Sequence, residues 1–479
     1  MTTDGERILV IGAGPAGLSA AYELVQRGWK PLVLEKASQV GGISRTELHD
    51  GYRYDVGGHR FFTKVPEVAQ LWTSMLGDDL IKVSRLSRIY YRGKFYQYPL
   101  NLWNTLSNLG LWESGLILLS YLRWQALPYK EEETFEQWVT NRFGRRLYRT
   151  FFQGYTEKVW GIPCSQIRAD WAAQRIQGLS LTQAVLNAIV GTESAKSLIS
   201  EFLYPRLGPG MMWERFAERV TAGGGEVWLN SEAVRIDRQS ERVTAVTVQR
   251  GQETLHIPVS GILTSMPLPE LIAALSPASP PAVQRAARAL RHRSFLTVGL
   301  RVLRGPLFPD NWVYIQSPEV QAGRMQNLGN WSAAMLPGAG QTSLGIEYFC
   351  NEGDALWTAD DADLVRLARH ELAQMGLAVE SEVLPGPVIR QPKAYPVYDP
   401  EYRTNVNLVR GFLAGFDNLQ TIGRNGMHRY NNMDHSMLTG ILAARNVFGE
   451  HNDLWSVNTE DTYHEHMSGH RNDQGGGML

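Results

Sequence analysis

Cysteine is scarce in this sequence, with Cys164 and Cys350 as the two examples among 479 residues. They lie far apart and form no CxxC motif, which excludes the pattern of a disulfide-stapled or thioredoxin-like protein. Isolated thiols are typical of a reducing compartment, and free cysteine is among the most buried residue types. We therefore expect two inert core thiols in a cytoplasmic protein, and we predict no metal site.

The sequence also lacks an excess of charge of either sign. Its 47 Lys and Arg residues nearly balance its 48 Asp and Glu residues, which leaves a net charge of −1. A general binder of nucleic acid would carry a strongly basic surface. We therefore predict no nucleic-acid partner, and any cationic site must be local.

Long apolar runs are absent as well. The most apolar later stretch, LWESGLILLSYLRW, begins at Leu111 and ends at Trp124. Its continuous apolar part is far shorter than the roughly 20 residues that cross a bilayer, so it predicts a buried helix and no membrane span. The first residues, MTTDGERILVIG, lack the basic and apolar regions of a secretory signal, which agrees with the expected cytoplasmic location.

The first 35 residues predict a strand, a turn, a helix and a second strand that together bind a dinucleotide. Gly12, Gly14 and Gly17 form a GxGxxG motif after the buried strand RILVIGAG. The first glycine permits the tight turn, the second lets the backbone approach a pyrophosphate, and the third lets the helix pack against the sheet. The helix N-terminus stabilises phosphate charge, and Glu35 is placed to accept from ribose hydroxyls.

Two further glycine loops favour FAD over NAD as that dinucleotide. One loop, ASQVGGISRT, follows Glu35, and the other joins the strand in TIGRNG to the helix in DHSMLTGILAARNV. No second GxGxxG follows, so we predict no separate nicotinamide domain, although NAD(P)H remains possible as a reductant at the substrate site. The cofactor contacts predicted in these loops are Gly41, Gly42, Arg45, Gly423, Met433 and Ser436.

The segment GYRYDVGGHRFF predicts a short strand followed by a close-approach loop. Gly57 and Gly58 remove side chains where a flat ring could pass, and they are predicted to contact the cofactor. His59 follows them. A lone histidine after a strand is more often structural than catalytic, so the residue types leave both roles open.

Five stretches make the chain resemble the FAD-dependent amine-oxidase-like superfamily: YDVGGHRFF, YQYPLN, YTEKVWGIP, WVYIQSPEVQAGR and GRNGMHRYNNMDHS. Within it, the chain is most similar to UDP-galactopyranose mutases of the eukaryotic type and to mutase-like bacterial flavoproteins. The resemblance implies interconversion of the pyranose and furanose forms of a nucleotide sugar without net redox change. Reduced FAD would provide N5 as the nucleophile on the anomeric carbon.

The resemblance also implies roles for individual residues. Arg324 and Arg424 would clamp the diphosphate, because a guanidinium fork suits two phosphate oxygens, and His59 would shape the loop beside the flavin and assist proton movement. The substrate is expected to be a nucleoside-diphosphate sugar, most simply a UDP-sugar. The substrate contacts implied in this way are Phe62, Tyr98, Asn101, Phe151, Thr156, Trp160, Arg175, Trp312, Tyr314, Trp331, Tyr395, Tyr430 and Asn432.

Some positions depart from the family pattern, and they lie on the substrate side. Thr156 stands where Asn is usual, Trp331 replaces a tyrosine, Asn101 replaces Gln and Lys64 replaces a second histidine. Two alternatives therefore stay open. One is an FAD-dependent oxidase or desaturase of the amine-oxidase or protoporphyrinogen-oxidase type, and the other is a non-enzymatic binder like the GDP-dissociation inhibitors.

The predicted fold is α/β, with a Rossmann-like FAD-binding domain of the amine-oxidase type, a helical domain and a mixed β-sheet substrate domain. GGGEVWLNSEAVRIDR, at Gly223–Arg238, predicts a hairpin and strand. The Gly-rich end, SGHRNDQGGGML, is expected to be disordered. The predicted boundaries are 1–85 with 206–265 and 396–450 for FAD binding, 100–200 for the helices, 86–99 with 266–395 for the mixed sheet, and 451–479 for the tail.

Overall fold

The computed structural model describes residues 7–98, 102–169 and 201–458. Asn101, Arg175 and the end segment 468–479 lie outside these ranges. The described residues form a mixed α/β structure with several sheets, which confirms the predicted fold class. The domain boundaries themselves stay a prediction.

A five-stranded parallel sheet forms the base of the predicted cofactor end. Its strands read as continuous apolar runs because both faces are covered. Helix α1 (Pro15–Gln26) and α15 (Met433–Val447) pack on one face, and a four-stranded sheet packs on the other. In sheet order, with strands numbered along the chain, the five are β20 (Leu419–Thr421), β13 (Gly261–Thr264), β1 (Ile8–Ile11), β2 (Leu32–Leu34) and β9 (Glu226–Trp228).

The predicted hairpin over Gly223–Arg238 is wrong. Strand β9 pairs in parallel with β2, with Leu32 opposite Glu226, so it belongs to the cofactor-end sheet. The next strand along the chain belongs to the four-stranded sheet. The prediction failed because local alternation does not reveal which distant strand a short strand will pair with. That sheet contains β12 (Glu253–Pro258), β11 (Arg242–Arg250), β10 (Ser231–Gln239) and β14 (Leu275–Ser276).

A seven-stranded mixed sheet forms the wall of the predicted substrate side. Its central strands are buried along most of their length, and β15 lies between two antiparallel neighbours. In sheet order the strands are β19 (Val383–Pro396), β15 (His292–Val302), β18 (Thr342–Cys350), β17 (Arg324–Asn327), β16 (Trp312–Ile315), β6 (Ser87–Tyr91) and β7 (Lys94–Gln97). Two small antiparallel pairs complete the strands: β3 (Thr46–His49) with β4 (Tyr52–Asp55), and β5 (Leu80–Ser84) with β8 (Glu201–Pro205).

Helices dominate residues 102–169, the described part of the predicted helical middle, and residues 170–200 lie outside the described residues. The helix Phe135–Phe143 begins with a capping box between Thr134 and Gln137. A π-helical turn, Arg149–Gln153, precedes the helix Gly154–Trp160. These helices are α3 (Leu102–Leu109), α4 (Leu111–Ala126), α5 (Phe135–Phe143), α6 (Arg145–Tyr148) and α7 (Gly154–Trp160). The remaining α-helices of the described residues are α2 (Pro66–Leu76), α8 (Gly210–Ala222), α9 (Leu268–Ala274), α10 (Pro281–Ala289), α11 (Leu328–Trp331), α12 (Ala355–Thr358), α13 (Asp361–Gln374) and α14 (Tyr402–Leu413).

One part of this helical prediction is wrong. Residues 111–124 form a helix, but α4 is not buried: Leu111 is 95% exposed and Trp112 is 80% exposed. Its opposite face supplies Ile117 and Tyr121 to the core. A run of leucines marks apolar surface but does not say whether the same chain covers it.

The prediction of two buried, free thiols agrees with the structure. Cys164 and Cys350 are both buried and free. Within residues 7–98, 102–169 and 201–458, no helix has the length and apolar character needed to cross a membrane, and no cluster of three potential metal ligands occurs.

Candidate functional site

The GxGxxG turn has the close contacts that only glycine permits. Gly12 has φ +100°, and its N–H donates to Leu34 O at 2.7 Å. A Cβ on Gly17 would lie 1.8 Å from Gly12 O, so any side chain there would push α1 off the sheet. The helix begins after Gly14, with Pro15 at its first position, and its free N–H groups make an anion site.

Glu35 lies directly after β2, at the point predicted for ribose binding. Its two carboxylate oxygens accept from Ala13 N at 2.8 Å and Ala37 N at 2.9 Å. These bonds hold the carboxylate against the glycine turn. Each carboxylate oxygen can accept more than one bond, so the same group retains capacity for hydroxyl donors.

The second glycine loop packs backbone to backbone against this turn. Gly41 has φ +106° and donates its N–H to Ala13 O at 2.8 Å. Arg45 does not present a free charge there: it donates to Gly42 O at 3.0 Å and to Gln391 Oε1 at 2.5 Å, and it pairs with Glu47. Its arrangement therefore fixes the loop.

The third loop and α15 reach the same place from the other end of the chain. A Cβ on Gly423 would lie 2.9 Å from Ala16 Cβ, and one on Gly440 would lie 2.1 Å from Ala16 O. Gly440 is seven residues after Met433, so the N-terminus of α15 extends about 10 Å beyond that crossing. Ser436 lies buried in the first turn of this helix.

The residues at this end fit an FAD molecule. Helix α1 begins with N–H groups that no side chain caps, α15 begins with an Asn432–His435 capping box, and glycine lines the contact between the two helices. Asn425 Oδ1, in the turn after Gly423, is buried without a hydrogen-bond partner in the part of the chain that the structure describes. An adjacent ligand would satisfy that acceptor.

His59 holds two segments of the predicted flavin loop together. Its Nε2 lies 3.0 Å from Ile43 O and 2.9 Å from Val56 O. Two carbonyl oxygens can only accept, so Nε2 carries the proton and Nδ1 keeps its lone pair in the neutral ring. Burial, with the nearby Arg424 and Arg324, lowers the pKa of His59 to about 4. The ring is therefore neutral near pH 7.

The glycine pair before His59 faces the substrate wall closely. A Cβ on Gly57, which has φ +81°, would lie 3.4 Å from Phe295 and 3.9 Å from Arg324 Nη2. A Cβ on Gly58 would lie 3.4 Å from Gln326 Oε1. The pair therefore brings the loop against β15 and β17.

Arg324 is a neutralised arginine. It lies opposite Glu347 in the β17–β18 register, and its Nε and Nη2 donate to that carboxylate at 2.6–3.0 Å. Burial alone would lower the pKa of Arg324, but Glu347 raises it well above its ordinary value. Gln326 also donates to Glu347, so the pair is a fixed unit in the wall.

Arg424 differs because no carboxylate among the described residues pairs with it. Its Nε donates to Asn431 O at 2.9 Å and its Nη1 to Ala394 O at 3.1 Å. The guanidinium carbon lies 4.7 Å from the Tyr430 ring centre and 5.8 Å from that of Tyr395. Carbonyls and ring faces hold this charge in place without cancelling it.

Aromatic side chains surround the two arginines. Tyr395 and Tyr430 stack at 5.7 Å with an angle of 15°, and the Trp160 ring lies within 6.3 Å of both. Tyr314 lies 5.1 Å from Tyr98 and 5.5 Å from Tyr155. Burial raises the pKa of both Tyr155 and Tyr395, so these phenols stay protonated.

The remaining predicted substrate residues lie at different depths. Phe151 is in the core against Tyr91 and Tyr96. Trp312 and Trp331 pack on each other at 5.4 Å, further along the wall. Thr156 is buried, Phe62 and Asn432 are half-buried, and Asn432 precedes α15. The predicted roles of these residues remain predictions.

Sequence reasoning missed several buried partners of the site. Glu347 could have been found only from the strand register, whereas Lys158 stands in the quoted YTEKVWGIP stretch. Its Nζ lies 2.6–3.4 Å from four carbonyl oxygens, those of the last residue of β16 and of three residues between β16 and β17, which share its three N–H donors. Asp55, in YDVGGH, accepts from Tyr204 and Thr46.

Comparison with known proteins supports both the fold and the cofactor. The chain resembles the crystal structure of a reduced UDP-galactopyranose mutase with a TM-score of 0.83 and 22% identity, over 95% of this chain and 98% of that one. At that identity the likeness concerns the fold. Similarity of sequence is more limited in extent.

Two curated relatives match part of the chain. A putative flavin-containing monoamine oxidase of Mycobacterium tuberculosis is 27% identical over 264 residues, which is 51% of this chain and 54% of the relative. A probable UDP-galactopyranose mutase of Klebsiella pneumoniae is 25% identical over 174 residues, 35% of this chain and 44% of the relative. The chain thus spans about half of the length of the curated relatives it matches.

The family model for flavin containing amine oxidoreductases matches residues 15–447, from the first residue of α1 to the last residue of α15. This range includes the second and third glycine loops, the His59 loop and both arginines. The chain is therefore a flavoprotein and belongs to the flavin containing amine oxidoreductase family.

Proposed function

We propose that this flavoprotein is a nucleotide-sugar mutase that interconverts the pyranose and furanose forms of a UDP-sugar, with NAD(P)H as a possible reductant. When bound and reduced, FAD supplies the nucleophile for the anomeric carbon. The family alone does not distinguish this reaction from an oxidation. The argument for it comes from the charges and hydroxyls beside the flavin loop.

Arg424 is the observation that carries the proposal. It is half-buried, lies over two tyrosine rings and has no carboxylate partner in the described part of the chain. A partly buried, uncompensated charge is unfavourable unless a ligand brings the opposite charge. A diphosphate would do so, and the planar fork can contact two of its oxygens.

The surrounding residues suit a nucleoside diphosphate, which in the proposed reaction leaves the anomeric carbon and later returns to it. Arg324 donates its Nε and Nη2 protons to Glu347, so the pair carries little net charge. The remaining N–H groups of Arg324 could still donate to the ligand. The protonated hydroxyls of Tyr155 and Tyr395 can donate to phosphate oxygens. Trp160 with Tyr395 and Tyr430 forms an aromatic wall that limits access of water to the reacting carbon.

His59 would act by position and by its free lone pair. Its Nε2–H holds Ile43 O and Val56 O, and this fixes the loop against the flavin. Nδ1 is then able to accept a proton from a sugar hydroxyl during ring opening or closure. The low pKa means that it would hold such a proton only briefly.

Amine oxidation is the second candidate, favoured by the family and by the monoamine oxidase relative. An ammonium substrate would be attracted to aromatic ring faces. In this chain the guanidinium of Arg424 already lies 4.7 Å from the Tyr430 ring centre, so a second cation there would be repelled. The local charge therefore favours an anionic substrate.

The direct test incubates dithionite-reduced holoenzyme with UDP- and GDP-sugars and follows furanose formation by NMR. We expect furanose from a UDP-sugar with reduced enzyme and none with oxidised enzyme. Absence of furanose from every sugar, with the flavin fully reduced, would refute the mutase proposal.

A parallel assay measures anaerobic flavin bleaching by amines and thermal shifts with nucleoside diphosphates. A large shift with UDP and no bleaching is expected. Bleaching by an amine, with no shift for any diphosphate, would select the oxidase alternative.

A further inference from the structure

Helix α4 exposes a continuous apolar face. We define the α4 face as Leu111, Trp112, Gly115, Leu118, Leu119 and Leu122. Its large side chains are between 51% and 95% exposed. Most soluble monomers show apolar patches of no more than about 300–600 Å², and larger ones mark contact sites.

The spacing of this face is that of a helix made to contact another helix. Leu111, Gly115, Leu118 and Leu122 follow intervals of four, three and four residues, which place them in one stripe. Ile117 and Tyr121 lie on the opposite side and are buried in the core of the chain. The helix thus packs against the described residues of its own domain with one face, and its second apolar face is exposed relative to them.

We propose that a second copy of this chain covers the α4 face, with the two α4 helices antiparallel about a two-fold axis near Leu118 and Leu119. A two-fold interface brings the same patch of both copies together, and a leucine stripe is complementary to itself. Gly115 has open space where a Cβ would lie, which lets a second helix approach closely.

Charge at the edge of the α4 face supports this arrangement. Arg123 follows the stripe and is exposed, and no acid in the described ranges forms an ion pair with it. In an antiparallel pair centred at residues 118–119, it lies level with residue 114 of the second copy, on the edge that carries Trp112. The indole ring there can accept the guanidinium through a cation–π contact.

The size of the face also suits a dimer. Six neighbouring residues with such exposures offer several hundred Å², on the order of the roughly 800 Å² that each partner contributes to a standard interface. A lipid surface is the less suitable occupant. Glu131 and Glu133 follow the helix closely, on either side of Glu132, which pairs with Arg142 at 2.7 Å, and anionic headgroups would repel these two carboxylates.

The first experiment measures the mass of the full-length holoenzyme in solution by light scattering. We expect a dimer for the unmodified chain and a monomer for Leu118→Glu, with unchanged flavin content. Leu408→Glu is the matched control, because Leu408 is exposed on α14, and it should stay dimeric. A monomeric unmodified chain, or a Leu118→Glu dimer, would overturn the proposal.

A second experiment does not depend on the glutamate variant folding. Leu118→Cys should form a disulfide-linked dimer under mild oxidation, since the two-fold axis brings both copies of this position together. Leu111→Cys should not, because antiparallel helices place its copies about 20 Å apart. The native thiols, Cys164 and Cys350, are buried and should not compete.

Equal cross-linking at both positions, or at neither, would contradict the antiparallel pairing. Flotation with vesicles of phosphatidylcholine and phosphatidylserine tests the lipid alternative. Monomers that bind these vesicles, and lose binding in Leu118→Glu, would assign the face to a membrane surface and overturn the dimer.

Discussion

The cofactor end and the substrate wall of this protein are built in different ways. At the cofactor end, residues 12–17 place three glycines and a helix N-terminus within six positions, and Glu35 bonds back to Ala13. On the substrate side, Arg324 of the wall needs Glu347 from the neighbouring strand, and Arg424 of the third glycine loop needs Ala394 of the wall and Asn431. Local geometry defines the first region, whereas long-range packing defines the second.

The difference teaches what a motif can convey. A glycine is required where backbone atoms touch, and that requirement can be recognised in the sequence itself. An arginine has no such requirement, and its chemistry depends on which partners surround it. Arg324 and Arg424 looked equivalent in sequence, yet one is paired with a carboxylate and the other is not.

The largest effect is expected from Gly17→Val. A Cβ there would lie 1.8 Å from Gly12 O, so the turn and α1 must separate. Overpacking of this kind costs about 1–3 kcal/mol or more, and here it also destroys the phosphate site. We expect loss of bound FAD, measured from the visible absorbance of the purified protein. Gly411→Ala, with open space at its Cβ, is the control and should retain FAD.

Arg424→Lys tests the opposite region. It keeps the charge and loses the fork, so we expect turnover of the proposed substrate to fall about 10- to 100-fold, from roughly 1.5–3 kcal/mol of lost contacts. FAD content should not change. Arg366→Lys, at an exposed position on α13, is the matched control. Loss of FAD from Arg424→Lys, with turnover per flavin unchanged, would erase the distinction between the two regions.

His59→Gln should make the free energy of unfolding less dependent on pH between about 4 and 6.5. The pKa of His59 falls from 6.5 to about 4 on folding, so the unfolded chain binds more protons between those values. The free energy of unfolding therefore decreases as pH falls through that window. Urea unfolding at several pH values measures the slope. Burial also lowers the pKa values of His292 and His428, so part of the pH dependence should remain in the variant.

Asp55→Asn should have an effect of opposite sign. Burial raises the pKa of Asp55 from 3.8 to about 7, so the folded chain binds the extra proton and loses stability as pH rises between those values. The amide removes the buried charge and keeps one acceptor oxygen, so one of the two hydroxyls, of Tyr204 or Thr46, must instead accept from the amide N–H. We expect higher stability of the variant above pH 7 and little difference near pH 4. An unchanged difference across this range would show that Asp55 does not titrate there.

Much of the fold could be predicted because its signals are local. The strand–turn–helix unit, the helical middle and the three glycine loops follow from periodicity and close-approach glycines. The hairpin at Gly223–Arg238 was wrong because β9 pairs with β2, nearly 200 residues away in sequence. The buried α4 was wrong because apolar spacing does not reveal whether another part of the chain covers a face.

By itself, the sequence determined the glycine turn at residues 12–17 and the position of Glu35 beside it, on which the prediction of dinucleotide binding rests, because close approach and hydrogen bonding are local there. It also placed Gly57, Gly58 and His59 together as one loop. Only the tertiary structure decided that His59 donates to Ile43 and Val56, that Glu347 neutralises Arg324 and that Arg424 keeps its charge. The physical reason is that charge state and tautomer depend on neighbours in space, which strand register and loop crossing supply.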